Sequence, residues 1–97
     1  MTTCHYIRTI IKIMQDRKQE LQNTLAVVIK KHRKNKSISL LSKEIDLSKS
    51  IWSELEKGNK DIQLSTFWRI AEALDIRPHI LIKEIENILG KDFSFLE

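Results

Sequence analysis

Three observations predict an all-helical fold. Only two glycines and one proline occur in 97 residues, which leaves little material for hairpin turns. The chain is rich in Ile, Leu, Lys and Glu, a composition suited to packed amphipathic helices. From Ile38 to Lys57 (ISLLSKEIDLSKSIWSELEK) the apolar residues change phase once, the pattern of two short helices joined by a tight turn. A chain of this length supports one domain with one modest core.

The first segment, from His5 to about Met14, carries Ile7, Ile10, Ile11 and Met14 at helical spacing, with Arg8 and Lys12 on the wet side. Three readings of it stay open: a dimer-forming arm, a helix laid on the core, or a loosely ordered leader. A second helical pattern runs from about Lys18 through Leu21, Leu25, Val28 and Ile29 to Lys34. The cations Lys30, Lys31, His32, Arg33 and Lys34 suit the negative end of its dipole. Asn35, which tolerates the left-handed conformation, is expected to end it.

In the central stretch, Leu41 and Ile45 stand four apart on a first helix, and Trp52 and Leu55 three apart on a second. Ser37 and Ser48 are the expected N-caps. Lys49, Ser50, Ser53, Glu54 and Lys57 are left on the side of the second helix away from the core. Gly58 and Asn59 then provide a helix stop. Leu64, Phe67, Trp68, Ile70, Ala71 and Leu74 predict another core helix, with Arg69, Glu72 and Asp75 outside. Pro78 suits the first turn of a last helix, carried by Ile80, Leu81, Ile82, Ile85, Ile88 and Leu89 to Gly90. That apolar surface is too wide for one contact stripe, so self-association is expected there, with Phe93, Phe95 and Leu96 of the tail covering part of it.

The net charge of +4 is unevenly distributed. Residues 1–36 carry 9 cations against 2 anions, residues 37–61 carry 4 against 5, and the remainder 4 against 6. The basic excess therefore lies ahead of the two-helix stretch. The single cysteine, Cys4, excludes an intramolecular disulfide and a thiolate zinc site within one chain, and reads as a free thiol in a reducing cytosol. His32 stands without a spaced Cys or His, so no metal is expected. No run approaches the roughly 20 apolar residues of a membrane span, and the segment 6–14 lacks a signal-peptide cleavage site. A cytoplasmic protein without cofactor is expected. No Gly-rich phosphate loop, nucleophile with a spaced His, or metal-spaced carboxylate cluster suggests an enzyme.

The run from about Thr24 to Leu81 resembles the lambda-repressor and Cro-like helix-turn-helix family, often called the XRE family. The resemblance rests on Leu41, Ile45, Leu47, Ser48, Trp52 and Leu55, then Glu56, Lys57 and Gly58, and finally Ile70, Ala71, Glu72, Ala73 and Leu74. It implies a five-helix lambda-repressor-like bundle, here preceded by the amphipathic segment. Residues 1–17 would form an N-terminal arm or helix and residues 18–90 the DNA-binding domain. Within that domain the helix-turn-helix is 38–57 and the final helix 78–89; residues 91–97 are a tail. The resemblance further implies that the second helix of the helix-turn-helix enters the major groove. It presents Lys49, Ser50, Ser53 and Glu54 to base edges: Lys donates to guanine, Glu accepts from cytosine N4, and Ser is permissive. Asn59, Lys60 and Thr66 would meet the phosphate backbone, with Lys36 and Lys43 as outer contacts. By position, Glu56 would pair with Lys31.

Three residues depart from the family's usual pattern. Ile38 stands where Gln often donates to a phosphate, and cannot do so. Ser42 replaces Ala at the tightest helix contact, which is sterically mild if its hydroxyl bonds back to a carbonyl. Asp46 replaces Gly in the turn, at a positive φ that Asp can accept.

Few cations on the reading face imply modest affinity per domain. The expected function is thus sequence-specific transcriptional regulation, as a repressor binding a palindromic operator in double-stranded DNA as a homodimer. Ile80, Leu81, Ile85, Ile88, Leu89, Phe93 and Phe95 are the candidate dimer residues. A second expectation is an antitoxin-type module holding a toxin-like protein partner through its termini.

Overall fold

The computed structural model describes the backbone of residues 2–96 and the side chains of residues 14–96. Among the described residues are five helices and no strand: α1 (Thr2–Arg33), α2 (Ile38–Glu44), α3 (Lys49–Glu56), α4 (Leu64–Ala73) and α5 (Pro78–Leu89). None is long and apolar enough to cross a membrane.

The two helical segments expected before residue 35 are one continuous helix of 32 residues. Gln15, Asp16 and Arg17, between the two apolar patterns, include neither Gly nor Pro, and nothing in them breaks a helix. At 1.5 Å per residue α1 is about 48 Å long, which accounts for most of the molecule's 53 Å longest extent. The expected apolar face at Ile7, Ile10 and Ile11 and the thiol of Cys4 lie outside the residues whose side chains are described. The helix ends one residue earlier than expected. Lys34, not Asn35, takes the left-handed conformation at φ 52°, while the Arg33 guanidinium donates to the Lys36 carbonyl at 3.0 Å and holds the exit.

The core is built from all five helices. Leu25, Val28 and Ile29 of α1 meet Leu41 and Ile45, Trp52 and Leu55, Phe67, Ile70, Ala71 and Leu74, and Leu81 and Ile85. Two expectations are corrected here. Leu81 and Ile85 are buried within the monomer, because α5 packs against both α1 and α4; they are not available to a dimer. Leu64 and Trp68, expected in the core, stand exposed. They lie four apart on a stripe of α4 turned aside from Phe67, Ile70 and Leu74, and those three already fill the inward face. Phe93 and Phe95 meet edge to face at 5.7 Å. Their segment reaches α1, where Arg17 Nε donates to the Ser94 carbonyl at 3.0 Å.

Candidate nucleic-acid interface

The α2–α3 unit is held by caps, a strained turn and one tie to α4. Ser37 Oγ accepts from the amide of Ser39 at 3.1 Å, and Ser48 Oγ from that of Ile51 at 3.2 Å, satisfying an otherwise orphaned donor at each helix start. Between the helices Asp46 sits at φ 53°, and the Leu47 amide closes the turn on the Ser42 carbonyl at 3.0 Å. Arg69 of α4 donates through Nη1 to the Ile45 carbonyl at 3.0 Å, at the end of α2. The sequence marks Arg69 only as an exposed residue; no local pattern identifies a cation that will cap another helix.

On α3, successive residues turn by about 100°. Lys49, Ser50, Ser53, Glu54 and Lys57 thereby share an arc of about 140°, opposite the buried Trp52 and Leu55. Lys49 and Ser50 are exposed; Ser53 and Glu54 are half-buried. A surface groove along the α2–α3 turn brings Lys49 together with Ser39, Lys43, Asp46 and Ser48. No described residue forms an ion pair with Lys43 or Lys49, so both ammonium groups are available to an anion. Ser42 also borders this groove, but its Oγ is buried without a hydrogen-bond partner among the described residues. The bond back to a carbonyl that would ease the replacement of Ala is not formed.

The remaining candidates are placed differently. Glu54 accepts from Asn59 Nδ2 at 3.0 Å and stands 3.7 Å from Lys57 Nζ, so Glu54 and Asn59 bind each other across the end of α3. Lys36 donates to the Ala73 carbonyl at 3.2 Å, in a hollow formed by the C-terminal ends of α1 and α4, not in the α2–α3 groove. Lys60 lines a separate groove between α1, α4 and α5. Thr66 Oγ1 accepts from Arg69 at 3.5 Å.

The expected Lys31–Glu56 pair is replaced by an Arg33–Glu56 pair. Two residues along a helix turn the side chain by about 200°, so Lys31 and Arg33 leave α1 on opposite sides. Arg33 meets the carboxylate of Glu56 with two nitrogens, at 2.6 and 2.9 Å, and the Trp52 indole N–H donates to the same group. Lys31 instead lies 3.2 Å from Glu84 of α5, which His32 also contacts at 2.5 Å. The His32 hydrogen bond is the main cause holding the Glu84 carboxyl below its ordinary range; Lys31 lowers it further and partial burial opposes both.

Gln19 is another residue the sequence did not mark. Its Nε2 donates to the Gly58 carbonyl at 2.8 Å and to Asn23 Oδ1 at 2.9 Å, tying α1 to the end of α3.

Residues 29–81, more than half of the chain, match the model of a family described as helix-turn-helix. No curated protein and no solved structure matches the chain.

Proposed function

The chain belongs to the XRE/Cro-like helix-turn-helix family of DNA-binding transcription regulators, and on that premise we propose that it is a homodimeric repressor of a palindromic operator, acting in the cytoplasm. The observation that carries this reading is the outward arc of α3, whose exposed Lys49 and Ser50 adjoin a groove holding a second unpaired cation, Lys43. Lys49 supplies donors for guanine O6 and N7, and Ser50 and Ser53 accept or donate at neighbouring base edges. Lys43 fixes the duplex through a phosphate. Glu54, engaged by Asn59 and Lys57, shapes the end of the reading surface and contributes less to base readout than Lys49.

With Ile38 in place of a donor, each domain neutralises few phosphates, and affinity per domain is correspondingly low. A two-fold dimer restores it by placing two copies of α3 about 34 Å apart, on half-sites one helical turn apart. Of the expected dimer residues, Ile80, Ile88 and Phe95 remain exposed, whereas Leu81 and Ile85 are spent in the monomer core. Titration of a duplex carrying the gene's own upstream region, followed by anisotropy, tests the reading. Tight binding there and at least a hundredfold weaker binding to random duplex is expected; equal binding to both would overturn it.

A second reading, a protein partner held through the termini, is favoured by one contact. Phe95 lines a shallow pocket with Met14, Gln15 and Lys18 of α1, so the C-terminal tail and the middle of α1 share one surface. Co-purification with the product of an adjacent gene, lost on removal of residues 91–97, is the expected sign of such a partner.

A further inference from the structure

Apolar side chains left exposed by a small monomer mark an interaction surface when they cluster. Here Leu64 is 74% and Trp68 48% exposed, one turn apart on the same stripe of α4, and Ile82 of α5 is 41% exposed. Leu64 and Ile82 are also lips of a groove between α1, α4 and α5, whose floor is Leu21, Leu25, Phe67 and Ile85 and whose volume is about 230 Å³. That space holds one large aromatic side chain. Its rim carries Gln22, Lys60 and Asp61; Asp61 is drawn to Lys18 of α1 at 3.4 Å, and the Lys60 ammonium suits the face of an incoming indole.

A projecting indole and an apolar groove of matching size thus stand side by side on one face of the same chain. That is the requirement of an isologous two-fold contact, in which each copy gives the knob and receives the other's. An unrelated partner would need only one of the two. Tryptophan is also among the residues that most often dominate an interface when seated in a desolvated pocket.

We propose that a second copy of this chain occupies the groove: the homodimer forms through the α4–α5 face, with Trp68 of each protomer seated between Leu64 and Ile82 of its partner. The inference rests on the homodimer reading and names its surface. The surface is not the strip of α5 bearing Ile80 and Ile88.

Sedimentation equilibrium of the full chain is the test, run with acrylamide quenching of tryptophan emission. Trp52 is fully buried, so Trp68 is the quenchable fluorophore. The wild-type chain is expected to dimerise, with quenching that falls as concentration rises. Trp68→Ala is expected to raise the dimer Kd at least about tenfold, and Leu64→Ser to do the same. Ile88→Ser should leave it within about twofold. All three sites are exposed, and far-UV circular dichroism checks that the helices persist. A dimer unchanged by Trp68→Ala and Leu64→Ser overturns this surface while the homodimer survives. A chain that stays monomeric at every concentration overturns both.

Discussion

Arg33 holds Glu56 with two nitrogens of its guanidinium, at 2.6 and 2.9 Å, across 23 residues of sequence. Glu56 is 6% exposed, and the carboxylate also accepts from the Trp52 indole. A surface ion pair is worth about 0–1 kcal/mol, but a buried carboxylate with three donors behaves otherwise. Removing its charge strands a guanidinium whose side chain is only 23% exposed. Glu56→Gln is therefore expected to lower the unfolding free energy by about 2–4 kcal/mol. Arg33→Lys, which keeps the charge but loses the fork, should cost about 1–2 kcal/mol. Urea denaturation measures both. A Glu56→Gln loss under about 0.5 kcal/mol would remove the pair from any account of the fold.

The same residues show where the sequence was legible. Glu56 carried a family role that survived, but its partner depended on the rotation of α1 relative to α3. A two-residue difference moves a side chain half-way round a helix, and spacing along one chain does not report that rotation. The cap at Ser48 and the positive φ of Asp46 were legible because each depends on its immediate neighbours. Trp68 was not. Its spacing fits a core position, and only the filling of the inward face by Phe67, Ile70, Ala71 and Leu74 turns it outward. The outward arc of α3 was visible in the sequence, whereas the engagement of Glu54 by Asn59 appears only once the chain folds back.

Glu84 links α5 to α1 through His32 and Lys31. Its carboxyl is held below the ordinary range chiefly by the His32 hydrogen bond, with Lys31 assisting. A depressed folded value means that the ionised group stabilises the fold above the unfolded pKa, near 4.3 for a glutamate, and that this contribution is lost as pH falls through the lowered folded value. The stability difference between wild type and Glu84→Gln should thus be largest and constant from about pH 6 to 5, then shrink towards zero on further acidification. Thermal melts across that range check it. A difference independent of pH down to about 3 would show that Glu84 ionisation is not coupled to folding.

Gly58 joins the end of α3 to α1 at a point with no room for a side chain. At φ 79° a Cβ would stand 2.3 Å from Asn23 Oδ1 and 3.4 Å from Asn23 Cα. The Asn23 amide can swing away only by losing its bond from Gln19, and the left-handed backbone adds about 1–2 kcal/mol of strain. Gly58→Ala is expected to cost about 2–3 kcal/mol. Gly90→Ala, at φ 88° and ψ 167° with no described atom within 4 Å of the added Cβ, has no clash to relieve but stands in a backbone region essentially reserved for glycine, and should cost about 1–3 kcal/mol of strain alone. Chemical denaturation of both variants, and of Gly58→Ala with Asn23→Ala, separates clash from strain: the double substitution should recover part of the first loss and none of the strain.

Lys43 and Lys49 share the α2–α3 groove but are expected to fail differently when truncated. Lys49 begins α3 and in the proposed reading faces the bases, so Lys49→Ala should weaken operator binding by about 1–3 kcal/mol and relax preference at one base pair in each half-site. Binding to random duplex should fall much less. Lys43, on α2, meets a phosphate in this reading, so Lys43→Ala should weaken operator and random duplex alike and reduce the slope of log K against log salt by about 0.9 per protomer. Glu54 supplies the internal comparison. Because Asn59 and Lys57 already engage it, Glu54→Gln should change specificity less than Lys49→Ala while slightly raising affinity for any duplex, as a negative charge leaves the interface. Anisotropy titrations of the three variants from about 50 to 200 mM salt distinguish these outcomes. If Lys49→Ala and Lys43→Ala lowered operator and random binding in the same proportion, α3 would be gripping the backbone and not reading sequence.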